Sequence, residues 1–384
     1  MTAVDGPCRA WAEIDLDGVA HNVRVLRARA APAAVCAVVK ANGYGHGAVP
    51  VARAALDAGA ERLGIATATE AVELRDAGID APIILFSEPR SAELDAVLAC
   101  RVEPTVFSPA TIAALAERAT RRPAGAAPVP VHLKVDTGMN RIGAEPHEAV
   151  ALARAVAAEP ALRLASVWTH CAGADDPAHD GYTATQLDRF DEVLAALDAA
   201  GLRPPLAHAG NSAVAIAHPR GRHDLVRCGI SIYGIPPSPL LDGLVDLRPA
   251  MTLVAEVTHV KDVDAGESIS YGLTHTFDAP TRVATIAAGY ADGVPRRLGN
   301  RGHVLVGGRR CPVVGVVTMD QLMVDIGGPG AGGVEVSVGD RAVLVGSRGA
   351  EAVTADDWAA AAGTISYEIV TRIGPRVRRV HRGP

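Results

Sequence analysis

Residues 35–47 read VCAVVKANGYGHG. An apolar, β-branched run ends on a lysine and breaks at once into glycines, an aromatic and a histidine. The first part of the chain repeats this unit. RLGIAT (62–67), APIILFS (81–87), VEPTVFS (102–108), VPVHLKVD (129–136), RLASVWTH (163–170), PLAHAG (205–210) and DLVRCGI (224–230) are the other strand-like runs. Between most of them lie amphipathic stretches whose apolar residues recur at three and four. ATEAVELRDAG (68–78), SPATIAALAERATR (108–121) and ATQLDRFDEVLAALDAAG (184–201) are the clearest. Strand–helix alternation predicts parallel sheet, and eight units predict a closed (β/α)8 barrel, with an open doubly wound sheet as the alternative.

After YGIPPSP (233–239) the texture changes. MTLVAEVTHV, TRVATIAAG, HVLVGG, CPVVGVV, MVDIG and RAVLVG read as strands with little helix between them. Thr354 caps a short helix, DDWAAAAG, and SYEIVTRI reads as a closing strand. The fold class is therefore α/β plus β: an N-terminal (β/α)8 barrel over 10–245, and a mainly-β domain over 246–384 together with 1–9.

Composition narrows the function. The 384 residues carry a net charge of -6, which leaves no nucleic-acid footprint. The N-terminal sequence shows no signal peptide, and no apolar run reaches the ~18 residues of a membrane span. Six cysteines without a C-x-x-C pair fit reduced thiols in a cytoplasmic protein, and no metal site is expected. Lysine is scarce: of 37 basic residues only Lys40, Lys134 and Lys261 are not arginine. Lysine can lose its proton and arginine cannot, so each retained amine is a candidate for nitrogen chemistry.

Barrels of this kind hold their chemistry at the carboxyl ends of the strands. Lys40 ends strand one. Lys134, Asp136 and Arg141 lie at the end of strand five and in its loop. His170 ends strand six, Asn211 and Ser212 follow strand seven, and Gly229 and Ile230 follow strand eight. Barrel phosphate sites form from the loops after strands seven and eight. A lysine across the mouth from such a site describes a pyridoxal 5'-phosphate site, where the amine condenses with the cofactor's aldehyde.

VVKANGYGHG (38–47) resembles the lysine motif of pyridoxal-phosphate-dependent alanine racemases. LKVDTGMNRIG (133–143), THCAGAD (169–175), HAGNSA (208–213), RCGISIYG (227–234), ISYG (269–272), GYADG (289–293), TMDQLMVDIG (318–327) and ISYEIVTRIGPRV (365–377) resemble that family's other motifs, in order. The resemblance implies that Lys40 holds the cofactor and serves as base for the D-isomer, with Tyr271 as the opposing base for the L-isomer. It implies phosphate contacts from Tyr44, Ser212, Gly229, Ile230 and Tyr367, with Asn211 also at the cofactor. Arg227 would face the pyridine nitrogen, supported by His170. Arg141 and Met319 would contact substrate, Lys134 would be a carbamylated lysine orienting Arg141, and Tyr290 would stand at the gate. It further implies a homodimer in which Tyr271 and Met319 enter the partner's active site. One position departs from the pattern: Val316 stands where the family commonly has arginine, which puts tight selection for alanine in question.

These residue types suit racemisation. A proton must leave one face of Cα and return to the other, which two bases on opposite faces accomplish. Arginine opposite the pyridine nitrogen cannot give up its proton, which limits the cofactor's strength as an electron sink and disfavours transamination. The rival readings are a broader serine/alanine racemase and a metal-dependent barrel hydrolase using Lys134, His170 and His208. A cofactor-carrier protein and a decarboxylase are further rivals; the β domain with Tyr271 argues against the first and Arg227 against the second. His46, His132, His208 and Asp175 read as structural.

Overall fold

The computed structural model describes residues 8–328 and 333–383; residues 1–7, 329–332 and 384 of the expected β domain lie outside them. The chain divides into two compact units, one spanning Asp17–Arg248 and the other formed by the residues up to Leu16 and those from Pro249 onward.

The first unit is the expected barrel. Its strands are Ala34–Val38, Arg62–Ile65, Ile83–Leu85, Glu103–Val106, Val129–Lys134, Leu162–Trp168, Leu206–His208 and Leu225–Cys228, each within or overlapping one of the eight predicted runs. Neighbours pair in parallel around the sheet, and Leu225–Cys228 returns to pair with Ala34–Val38. Between the seventh and eighth strands, Asp224 N–H donates to Ala207 O at 3.0 Å and Arg227 N–H to Gly210 O at 2.8 Å. Helices such as Ala68–Asp76, Pro109–Ala119 and Asp180–Ala199 connect the strands, as their periodicity predicts. They bury residues three and four apart, such as Ile112, Leu115, Ala116 and Ala119.

The interior of this barrel is only partly apolar. Cys36, Ile84 and Leu225 form a small buried cluster against Phe86. Polar side chains are fully buried among the barrel strands as well: Thr105, His132, Ser166 and His208 are all 0% exposed. Side chains two apart on a strand share a face. So His132 and Lys134 lie on one side of their strand, as do Ser166 and Trp168.

The second unit is mainly β. Its central strand, Met251–Val263, pairs with Ala10–Asp15 and with Arg341–Arg348 through its first half. An irregularity between Val257 and His259 lets its second half pair with Thr281–Ile286. The short helix Ala355–Ala362 starts at Thr354, whose hydroxyl accepts from Asp357 N–H.

Two details differ from expectation. Ala10–Asp15 belongs to the β unit, antiparallel to Met251–Val263 and parallel to Arg378–Arg382, so the barrel unit begins at Asp17 rather than residue 10. The burial pattern explains it: alternate residues Ala10, Ala12 and Ile14 are buried, the mark of a strand with one covered face. SYEIVTRI is not the closing strand. Ser366–Thr371 is helical and the last strand is Arg378–Arg382. Ile369, Val370 and Ile373 are buried at helical spacing, and Glu368 pairs with Arg372 one turn on at 2.9 Å.

Candidate active site

The turn after the first barrel strand holds its residues in a costly shape. Ala41, Asn42, Gly43 and Tyr44 have φ of 53°, 52°, 59° and 49°, a single left-handed turn in which only one residue is glycine. Each non-glycine there costs about 1–2 kcal/mol. Neighbouring bonds over-determine the turn. Glu70 accepts from Ala41 N–H at 2.7 Å, Asn42 Oδ1 accepts from Ala48 N–H at 3.0 Å, and Gly43 N–H donates to Val39 O at 2.8 Å. The turn places Lys40 at the strand end and buries Tyr44.

The Lys40 amine is half-buried and has no hydrogen-bond partner among the described residues. Burial, and then the charge of Arg141, pull it below its ordinary range, while Glu70 opposes them. Arg141 is exposed on a loop organised by Asp136, whose carboxylate accepts from the N–H groups of Gly138, Asn140 and Arg141 at 2.9, 3.0 and 3.0 Å.

Lys134 is 2% exposed, with its amine 4.2 Å from the centre of the Trp168 ring. Burial, the Arg227 charge and the Arg141 charge bring it down to about 7, against the pull of Asp136. The unfolded chain keeps that proton up to its ordinary 10.5, whereas the folded chain releases it near 7. Between those values the unfolded state binds more protons, so this residue makes stability rise with pH. Lys134→Met is expected to flatten that part of the Tm-against-pH curve in CO2-free buffer and to raise Tm near neutrality.

Arg227 is 4% exposed and spends its donors on the protein. It donates to His208 Nδ1 at 2.7 Å, to His170 Nδ1 at 3.2 Å, and to the carbonyls of Thr169, Ala209 and His208 at 2.8, 3.1 and 3.2 Å. Among the described residues no carboxylate bonds to it. Burial lowers it to about 10, still a cation at neutral pH. His170 and His208 lie well below their ordinary range, through burial and then the Arg227 charge, so both rings are neutral.

Opposite, the loops after strands seven and eight meet. Gly229 N–H donates to Ser212 Oγ at 3.0 Å, and Asn211 caps the short helix Ser212–Ala217 by accepting from Val214 N–H. A Cβ on Gly229 would sit 2.5 Å from the Tyr44 hydroxyl, so only glycine lets that phenol approach the backbone. Gly229→Ala is expected to displace Tyr44 and weaken cofactor binding about tenfold, measured by titration of the apoprotein. This fold thus brings together Lys40, Tyr44, Lys134, His170, Asn211, Ser212, Arg227, Gly229 and Ile230.

In the β unit, Tyr271, Tyr290, Val316 and Met319 line a cavity of about 660 Å³ with Arg296 and Gln321. Tyr271 and Met319 are 72% and 52% exposed, large side chains held out on the surface. Tyr367 is half-buried on the helix Ser366–Thr371. A clamp that no motif announces adjoins this cavity. Arg376 grips Asp292 with two bonds of 2.6 and 2.9 Å and reaches Asp320 at 2.7 Å, tying the loops that carry Tyr290 and Met319.

Residues 14–237 match the N-terminal domain of alanine racemases and residues 250–381 the C-terminal domain. The chain belongs to the alanine racemase family. It is 47% identical over 380 residues to the alanine racemase of Symbiobacterium thermophilum, covering 99% of each. Among solved structures, the alanine racemase of a D-cycloserine-producing Streptomyces lavendulae superposes with a TM-score of 0.91 at 43% identity, covering 99% of this chain and 98% of that one. The alanine racemase of Bartonella henselae, solved with covalently bound pyridoxal phosphate, superposes at 0.85 and 29% identity, covering 98% and 100%.

The residues at the barrel mouth fit that group. Among the described residues, they supply one amine with no hydrogen-bond partner, a hydroxyl and phenol cradle that a Cβ would fill, and a buried cation whose immediate partners include no acid.

Proposed function

We propose that this chain interconverts L- and D-alanine with pyridoxal 5'-phosphate, using Lys40 and Tyr271 as bases on opposite faces of the substrate's Cα. The observation that carries this reading is the pairing, in one barrel, of a Lys40 amine with no hydrogen-bond partner among the described residues with an Arg227 whose two terminal nitrogens donate to protein acceptors. When bound, the cofactor withdraws electrons from the amino acid and makes its Cα proton removable. Lys40 would hold it. Tyr44, Ser212, Gly229, Ile230 and Tyr367 would take its phosphate, with Asn211 beside them.

The remaining steps belong to side chains. Lys40 Nζ takes or returns the proton on one face, and Tyr271 Oη does so on the other. Arg227 offers only donors, so it keeps its proton and disfavours transfer of the amino group. His170 supports it. Arg141 binds the substrate carboxylate, and Met319 limits the space beyond a methyl group. The neutral Lys134 amine can add CO2 to form a carbamate and release one proton, giving Arg141 an anionic partner.

The exposure of Tyr271 and Met319 supports a homodimer in which each β unit completes the partner's site. A role in supplying D-alanine for peptidoglycan in the cytoplasm fits the reading, and among the described residues no helix is long and apolar enough to cross a membrane. Val316 in place of an arginine favours some tolerance for serine. The test is to incubate the protein with L-alanine and with L-serine and follow optical rotation with and without the cofactor. Cofactor-dependent decay to the racemate is expected, faster for alanine; no decay with the cofactor bound rules the reading out.

A further inference from the structure

The buried histidines that the sequence leaves as structural are joined in one line. Arg227 donates to His208 Nδ1 at 2.7 Å, His208 Nε2 meets Ser166 Oγ at 2.8 Å, Ser166 Oγ meets His132 Nδ1 at 2.6 Å, and His132 Nε2 meets Glu103 Oε2 at 3.0 Å. Glu103 also accepts from Arg62 NH1 at 2.5 Å. Glu103 and Arg62 open their strands, so the line runs from the amino end of the barrel to the cation at its mouth.

We propose that Glu103, His132, Ser166 and His208 form a one-way relay that delivers a distant carboxylate's negative charge to Arg227. Proton bookkeeping carries the argument, and it rests on the reading of Arg227 given above only for its catalytic consequence. A guanidinium has donors and no acceptor, so His208 Nδ1 must be the acceptor. A neutral His208 then carries its proton on Nε2 and donates to Ser166. The Ser166 hydroxyl has one proton, which goes to His132 Nδ1. His132 is left with its proton on Nε2, pointed at the carboxylate.

The far end imposes the same direction. An ionised Glu103 accepts and cannot donate, so the proton between it and His132 belongs to His132. Burial alone would raise Glu103, but the bonds from His132 and Arg62 outweigh it and hold it low. Burial lowers both His132 and His208, against the pull of Glu103 on the former. Each ring thus turns a lone pair toward the cation and an N–H toward the anion, and bonds aligned in series polarise one another. The aligned series thereby sets partial negative charge against a buried cation that touches no acid among the described residues. A carboxylate beside Arg227 would compete for the bonding partner at the mouth, whereas one held four bonds away does not. The four residues act through Arg227 and are positioning residues.

The test reads ring tautomers by nitrogen-15 NMR in the holoprotein. His132 and His208 are expected to be neutral and protonated on Nε2. In Ser166→Ala both rings keep their tautomers, held by Arg227 and by Glu103, but the His208 Nε2 and His132 Nδ1 resonances shift as they lose the hydroxyl between them, and the share of turnovers that release keto acid rises about tenfold, as expected for losing one hydrogen bond in a charged series. Ser166→Thr, which keeps the hydroxyl, is expected to restore both readouts. A wild-type ring protonated on Nδ1, or doubly protonated, overturns the relay. So does a Ser166→Ala protein with unchanged His208 Nε2 and His132 Nδ1 resonances and an unchanged side-product share. If the wild-type tautomers are as expected and the protein racemises nothing, the functional reading fails and the relay stands.

Discussion

Tyr271→Phe is expected to lower racemisation in both directions by roughly 10²- to 10⁴-fold, the range lost with a positioned acid or base. The substitution removes one hydroxyl from a side chain that is 72% exposed, so folding of the chain is expected to be unaffected. The loss should be asymmetric at the level of proton exchange. Lys40 remains able to work on its own face, so in D2O the Cα of D-alanine continues to exchange while that of L-alanine does not. Equal residual exchange from both isomers would remove Tyr271 from the reaction.

The second large effect is at Arg227. Replacing it with Glu sets a carboxylate against the carbonyls of Thr169, Ala209 and His208 and against the His208 ring nitrogen, all of which now accept from arginine. Stability is expected to fall by about 3 kcal/mol or more, since several buried acceptors lose their donor. In the fraction that folds, an acid at this position can place a proton on the cofactor ring, so keto acid should accumulate with turnover and racemisation should fall. Arg227→Lys serves as the control: it keeps the charge but loses the forked contacts, so it should lose rate with little gain in keto acid. A Glu variant with the wild-type ratio of racemisation to keto acid would contradict the role assigned to Arg227.

The barrel was legible because its strands announce themselves twice, as apolar runs and as abrupt stops. All eight runs carry strands, and the proposed site residues Lys40, His170, Asn211 and Gly229 lie just past the points where those strands stop. The β unit was legible as a texture but not in its details. SYEIVTRI is rich in β-branched residues, and local preference favours a strand, yet Ile369, Val370 and Ile373 face the interior at helical spacing and burial decides the outcome. Ala10–Asp15 could not be assigned from its neighbours, since its partners lie some 240 and 370 residues on, at Met251–Val263 and Arg378–Arg382.

The polar interior was the least legible part. His132, Ser166 and His208 sit in three different runs and look ordinary in each. Only closure of the sheet lines them up, with His132 beside Ser166 and Trp168 beside His208 in the register. The Asp292–Arg376–Asp320 clamp escaped for the same reason, being assembled from three separated loops.

The proposed reaction requires the Lys40 amine to be the cofactor's attachment point. Borohydride reduction of the holoprotein followed by peptide mapping tests it most directly. A single cofactor-bearing peptide, modified at Lys40, is expected. Label on Lys134 or Lys261, or a protein that reduces without retaining cofactor, would contradict it.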